Sequence, residues 1–237
     1  MPIPSKFEVP RKYHVRKLSF SRGVHHAIVL GDSRLWNLHS VSWSGCPFKQ
    51  LSILSCKGAV VSDYIRCIDR LLSVPRDQVM TVKIALGGVD ILRNREPADI
   101  LGDLISLKNI ITSRFPKALV AITDVAMVNV ERYEEVVGRT ATNSSSHYNN
   151  KIEELNRQIF RSNCETPAEY SRGGATPFLA QSICRSRRRR CPEGVIRLNR
   201  AQRTYLPDGI HLTKACLRDW ARSFVASFRI DARILSE

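Results

Sequence analysis

Three residues far apart in the chain are of the types that activate a hydroxyl. Ser33 ends the triplet Gly31-Asp32-Ser33, directly after an apolar run at residues 26–30. Asp208 and His211 stand three residues apart in Pro207-Asp208-Gly209-Ile210-His211-Leu212. A serine hydroxyl is a weak nucleophile until a base takes its proton, and an imidazole oriented by a carboxylate is a common base. The spacing of three lets one loop hold both groups, with Asp208 orienting His211 toward Ser33. A serine in a strand-to-helix turn also gathers backbone N–H groups around its hydroxyl. Plainer readings exist for each residue: Ser33 as a helix cap, Asp208 as a turn former before Gly209, His211 as a helix-start residue bonded locally. Taken singly they compete on equal terms. They leave unexplained why the two motifs occur together at opposite ends of the chain.

The elements that must position these residues alternate. Strand-like runs occupy residues 26–30, 51–56, 79–86, 119–127 and 194–198. Helical spacing occupies 62–72, 100–111, 147–160 and 213–228, with Pro97 near the start of the second helix, Pro116 after its stop, and Thr213 capping the last. Five strands alternating with helices predict an α/β fold, a three-layer α/β/α sandwich around about five parallel strands with right-handed crossovers. Ligands of such sheets sit beyond the carboxyl ends of the strands. Gly31-Asp32-Ser33, Lys57-Gly58, Gly87-Gly88-Val89-Asp90 and the 207–212 loop all follow strands. Residues 1–24 read as a basic arm and 25–237 as one domain, interrupted at about 165–193 by an insertion with Gly173-Gly174 and five arginines in six residues, Arg185, Arg187, Arg188, Arg189 and Arg190.

From about His25 to Phe228 the motifs and strand order resemble the SGNH (GDSL-type) hydrolases. That resemblance implies a flavodoxin-like sandwich and hydrolysis of carboxylic esters without a cofactor. It puts Ser33 in the nucleophile position and Asp208 and His211 in the remaining triad positions. The oxyanion hole it implies takes backbone N–H groups from Ser33 and from Gly58, which reads equally as a plain turn glycine. The chain departs from the family at Val89, which stands where the pattern has an Asn completing the hole. Valine has no donor, and losing one such contact costs on the order of 100- to 1,000-fold in rate, about 3–4 kcal/mol. Asn94 is a polar residue near enough in sequence to stand in.

Composition frames the second reading. The chain has 237 residues, 43% hydrophobic and 25% charged, enough for a full core without metal or disulfide staples. Thirty-seven Lys and Arg against 22 Asp and Glu leave a net charge of +15, which favours a polyanionic neighbour. Arg185 and Arg187 to Arg190 form one candidate phosphate contact. Lys6, Arg11, Lys12, Arg16, Lys17 and Arg22, interleaved with Phe7, Tyr13 and Phe20, form another, an arrangement suited to RNA or single-stranded DNA. The contrary reading of both clusters is a solvated surface. SGNH-like domains also occur in open reading frame proteins of some retrotransposons, and in the germ-plasm protein Oskar, where one binds RNA without the catalytic residues. By analogy the alternative to an esterase is a weak or inactive module of this fold that binds nucleic acid. Seven cysteines without zinc-like spacing, the absence of an apolar span of about 18 residues and an N-terminus without a signal-like core together predict a reduced, intracellular protein of cytoplasm or nucleus.

Overall fold

A computed structural model describes residues 13–20, 24–72, 74–136, 144–164, 208 and 210–236. The expected fifth strand at 194–198, the arginines at 185–190 and the first twelve residues lie outside the described residues. Five strands form one sheet: β1 Tyr13–Ser19, β2 Val24–Asp32, β3 Phe48–Cys56, β4 Val79–Ala85 and β5 Leu119–Ile122, in spatial order β1-β3-β2-β4-β5. The pairs β2–β3, β2–β4 and β4–β5 are parallel, and β1 runs antiparallel along β3. Among the described residues the α-helices are α1 Val61–Leu71, α2 Gly88–Leu92, α3 Pro97–Arg114, α4 Val130–Val136, α5 Ser145–Cys164 and α6 Lys214–Ile234.

Because side chains alternate across a strand, β2, β3 and β4 each feed two cores. On β2, Ile28 and Leu30 join a cluster with Tyr64 and Ile68 of α1, Ile100, Leu104, Leu107 and Ile111 of α3, and Ile152, Leu155 and Ile159 of α5. Ala27 and Val29 face the other way, into a cluster with Leu217, Trp220, Phe224 and Phe228 of α6. The apolar stripe expected on α3 is the buried one, and Pro97 occupies its first turn, where a missing N–H costs nothing. Thr213 does cap α6, its side chain accepting from Cys216 N–H at 3.3 Å, and the helix runs on to Ile234.

Two expectations are corrected. Residues 13–19, assigned to the basic arm, form an edge strand whose Val15, Arg16 and Lys17 are exposed. Charged residues on both faces hide the period of two, and such residues are what protect a sheet edge from further pairing. The strand expected over 119–127 stops at Ile122. Beyond it the backbone pairs with α5 side chains: Val125 N–H donates to Asn156 Oδ1 (2.7 Å) and Val128 N–H to Asn149 Oδ1 (2.9 Å). Each carboxamide N–H returns a bond to the same residue's carbonyl, at 2.9 Å in both cases. Two asparagines one heptad apart thus satisfy extended backbone that an apolar run had suggested was strand.

Candidate active site

The turn after β2 is built by close approach. A Cβ on Gly31 would stand 2.9 Å from the Ala85 carbonyl oxygen and 2.6 Å from Leu35 Cγ, so only glycine lets Leu35 tuck beneath the strand end. Tyr64 donates its hydroxyl to the Gly31 carbonyl at 2.7 Å. Asp32 then caps the short 3-10 turn Ser33–Leu35 by accepting Arg34 N–H at 2.9 Å. Ser33 is the first residue of that turn and half-buried.

The second half of the site enters from the start of α6. Asp208 Oδ1 accepts the backbone N–H groups of Ile210 (3.0 Å) and His211 (2.9 Å), closing the loop on itself. Buried Leu212 anchors the loop in the α6-side core. Asp208 Oδ2 lies 2.5 Å from His211 Nδ1, and His211 Nε2 lies 3.0 Å from Ser33 Oγ. A carboxylate only accepts, so Nδ1 carries the proton and Nε2 is left to accept from the serine hydroxyl. Burial pushes the Asp208 carboxyl up, but the His211 side-chain bond and the two backbone N–H groups outweigh it and hold the carboxyl below its ordinary value.

Gly58 follows β3 with φ +66, a left-handed conformation that favours glycine, and open space lies where its Cβ would be. Its carbonyl accepts Arg93 Nη2 at 3.1 Å. Val89 lies in α2, half-buried, and brings only hydrocarbon. Asn94 is held at its carboxamide oxygen: Oδ1 accepts Lys151 Nζ at 3.1 Å and lies 3.3 Å from His147 Nε2, both on α5.

Two supporting groups escaped the sequence reading. Fully buried Asp90 accepts Val61 N–H at the start of α1 (3.1 Å) and Arg95 Nη1 (2.7 Å), tying the segment after Gly58 to α2. Burial raises its carboxyl despite these bonds. Arg34 is buried against Asp32. The signal for it was the paired glycines 87 and 88, because the second makes room for the guanidinium. Of the tryptophans, Trp43 and Trp220 are core, whereas Trp36 is exposed and its ring packs 4.1 Å from that of His14. Among the described residues no His, Cys, Asp and Glu cluster could hold a metal, and no helix is long and apolar enough to cross a membrane.

Similarity to solved structures shows that the chain has the fold of the SGNH (GDSL-type) hydrolases. A member of the lipolytic G-D-S-L family from Veillonella parvula superposes with a TM-score of 0.59 at 12% identity, covering 87% of this chain and 99% of that one. A structure described as a putative platelet activating factor from Streptococcus pneumoniae gives 0.58 at 15% identity, with 88% and 86% covered. The OSK domain of Drosophila Oskar gives 0.52 at 16% identity, with 84% and 86% covered. No family model matches the sequence, and no curated protein matches it.

Proposed function

We propose that the chain is a serine ester hydrolase. The observation that carries this reading is the unbroken line Asp208 Oδ2, His211 Nδ1, His211 Nε2, Ser33 Oγ, with steps of 2.5 Å and 3.0 Å between the residues. Ser33 Oγ attacks the ester carbonyl while its proton passes to His211 Nε2, and Asp208 holds the imidazolium that forms. The Ser33 and Gly58 N–H groups receive the oxyanion. Collapse expels the alcohol, protonated by His211, and leaves an acyl group on Ser33. Water activated by the same imidazole then releases the acid. No step needs a cofactor. With Val89 in place of a side-chain donor, slow turnover is the expectation unless another group donates.

The deciding experiment is labelling with a fluorophosphonate, which phosphonylates an activated serine whatever the natural substrate. Wild type should label and Ser33→Ala should not; an unlabelled wild type would remove the reading.

A second reading, a module that binds RNA or single-stranded DNA, draws on the net charge of +15 and on exposed Arg16 and Lys17 along the edge strand. In it Arg185, Arg187, Arg188, Arg189 and Arg190 contact phosphates. Replacing these five with Ser should then flatten the slope of log K against log salt by up to about 5 units, measured by filter binding. An unchanged slope leaves the esterase reading alone. A reducing intracellular setting, cytoplasmic or nuclear, suits the buried thiols of Cys46 and Cys67.

A further inference from the structure

We propose that Arg34 is the positioning residue of the nucleophile turn, its guanidinium tying the end of β2 to α2 and to the segment after β5; the inference rests on the esterase reading. An arginine is seldom buried unless paired, yet the residue directly after Ser33 is one, with 5% of its side chain exposed and its partner Asp32 1% exposed. The pairing is forked: Nε donates to Asp32 Oδ1 at 3.0 Å and Nη2 to Oδ2 at 2.6 Å. The Arg34 backbone N–H donates to the same Oδ1 at 2.9 Å, so residues 32 and 34 grip each other through side chain and main chain, with Ser33 between them. Nη1 reaches across the sheet edge to the Ala126 carbonyl at 3.1 Å.

The approach to Gly88 is the most telling. A Cβ built on Gly88, the first residue of α2, would stand 2.5 Å from Arg34 Cζ, 2.6 Å from Nη1 and closer still to Nη2. The guanidinium therefore lies against the backbone one residue before Val89. A single planar group touches the ends of three neighbouring strands: Asp32 closes β2, Gly88 follows β4 and Ala126 follows β5. The ion pair is neutral as a whole, so its effect on the reaction is geometric rather than a long-range field. Lysine, a point charge on a flexible stem, cannot make the fork and the Ala126 bond together.

The test uses the full chain and two readouts, the rate of fluorophosphonate labelling at Ser33 and kcat with KM on p-nitrophenyl acetate. A displacement of about 1 Å at a reacting group costs on the order of 100-fold, so Arg34→Met should lose about that much in labelling rate and in kcat together. KM should move by less than about threefold, because ground-state binding is not what the contact supplies. Arg34→Lys should recover only part of the loss. Gly88→Ala keeps the arginine but evicts its guanidinium and should show the same defect. In the Arg34→Met background it should add nothing, since the three nearest atoms its Cβ would meet all belong to Arg34. If Arg34→Met does not fold, Arg34→Lys and Gly88→Ala carry the test. Either of these, folded and within about twofold of wild-type labelling, overturns the inference. An unlabelled wild type overturns the esterase reading and this inference with it. A labelled Ser33 indifferent to residues 34 and 88 overturns this inference only.

Discussion

Among the described residues two ion pairs are buried on both sides, and their difference separates scaffold from site. Lys83 of β4 meets Asp231 of α6 at 2.6 Å, with side chains 0% and 1% exposed, and Thr81 Oγ1 also donates to Asp231 Oδ2. Here the ionic contact is itself the long-range link, joining sheet to last helix across nearly 150 residues of chain. Asp32 and Arg34 are two residues apart, so their contact links nothing distant. Their reach comes from the donor left over, which finds Ala126 ninety-two residues away. A guanidinium has five donors in a rigid fork and can be both ion-pair partner and brace; an ammonium suits a single buried point contact. Equal burial does not imply equal function.

The site side of the contrast should show the largest effect. Asp208→Asn keeps the shape of the loop but removes the group that holds the His211 tautomer, and kcat on p-nitrophenyl acetate should fall by about 10³- to 10⁴-fold. Urea unfolding of the same variant should move far less, because Asp208 is partly exposed. On the scaffold side the signs reverse. Lys83→Met leaves Asp231 buried without its counter-charge and should cost about 3–5 kcal/mol in urea unfolding, with kcat of the folded fraction unchanged. Adding Asp231→Leu should return stability to wild type or above, since an apolar pair of similar volume has no charge to desolvate. If the double variant stays as unstable as the single, the pair is contributing more than mutual neutralisation.

A smaller change should sharpen the site side. Val89→Asn adds a side-chain donor where the sequence resemblance expects one, and kcat should rise by about 10- to 1,000-fold. An unchanged rate in a folded variant would mean that another group already serves the oxyanion.

The smallest effect is a pH dependence of the scaffold. His26 on β2 is buried, its Nε2 2.8 Å from Ser52 Oγ, and Nδ1 has no hydrogen-bond partner among the described residues. Burial first, and Lys17 second, lower its pKa below the ordinary 6.5. The folded state therefore binds fewer protons than the unfolded one, so this contribution is intact above pH 6.5 and is lost as pH falls below it toward the depressed folded value. Asp208 acts lower: its depressed carboxyl stabilises above the ordinary carboxylate value, and that contribution fades as pH drops through the folded one. Urea titrations at pH 7.5 and 5.5 should show wild type losing more stability than His26→Gln; equal losses would clear His26.

Much of this was legible from residue order alone, and for local reasons. Helical period and proline placement define α3 because a helix buries one stripe along its own length. Gly31-Asp32-Ser33 and Asp208-Gly209-Ile210-His211 announce turns because their bonds close within three residues, as the Asp208 carboxylate does on Ile210 and His211. What escaped depends on partners distant in sequence. The edge strand Tyr13–Ser19 exists because β3 offers it a ladder. The stretch after Ile122 is not strand because Asn149 and Asn156 arrive from α5 to take its backbone groups. Lys83 interrupts an apolar run because Asp231 waits on α6. Residue order alone dictates the alternation of strands and helices and the chemical types at the sheet's carboxyl edge. It took the packing of the layers to bring Ser33 and His211, 178 positions apart in the chain, to a 3.0 Å contact and to fold Arg34 inward beside them. Distances of that kind are set by how the layers pack, and packing is a property of the whole chain rather than of any segment.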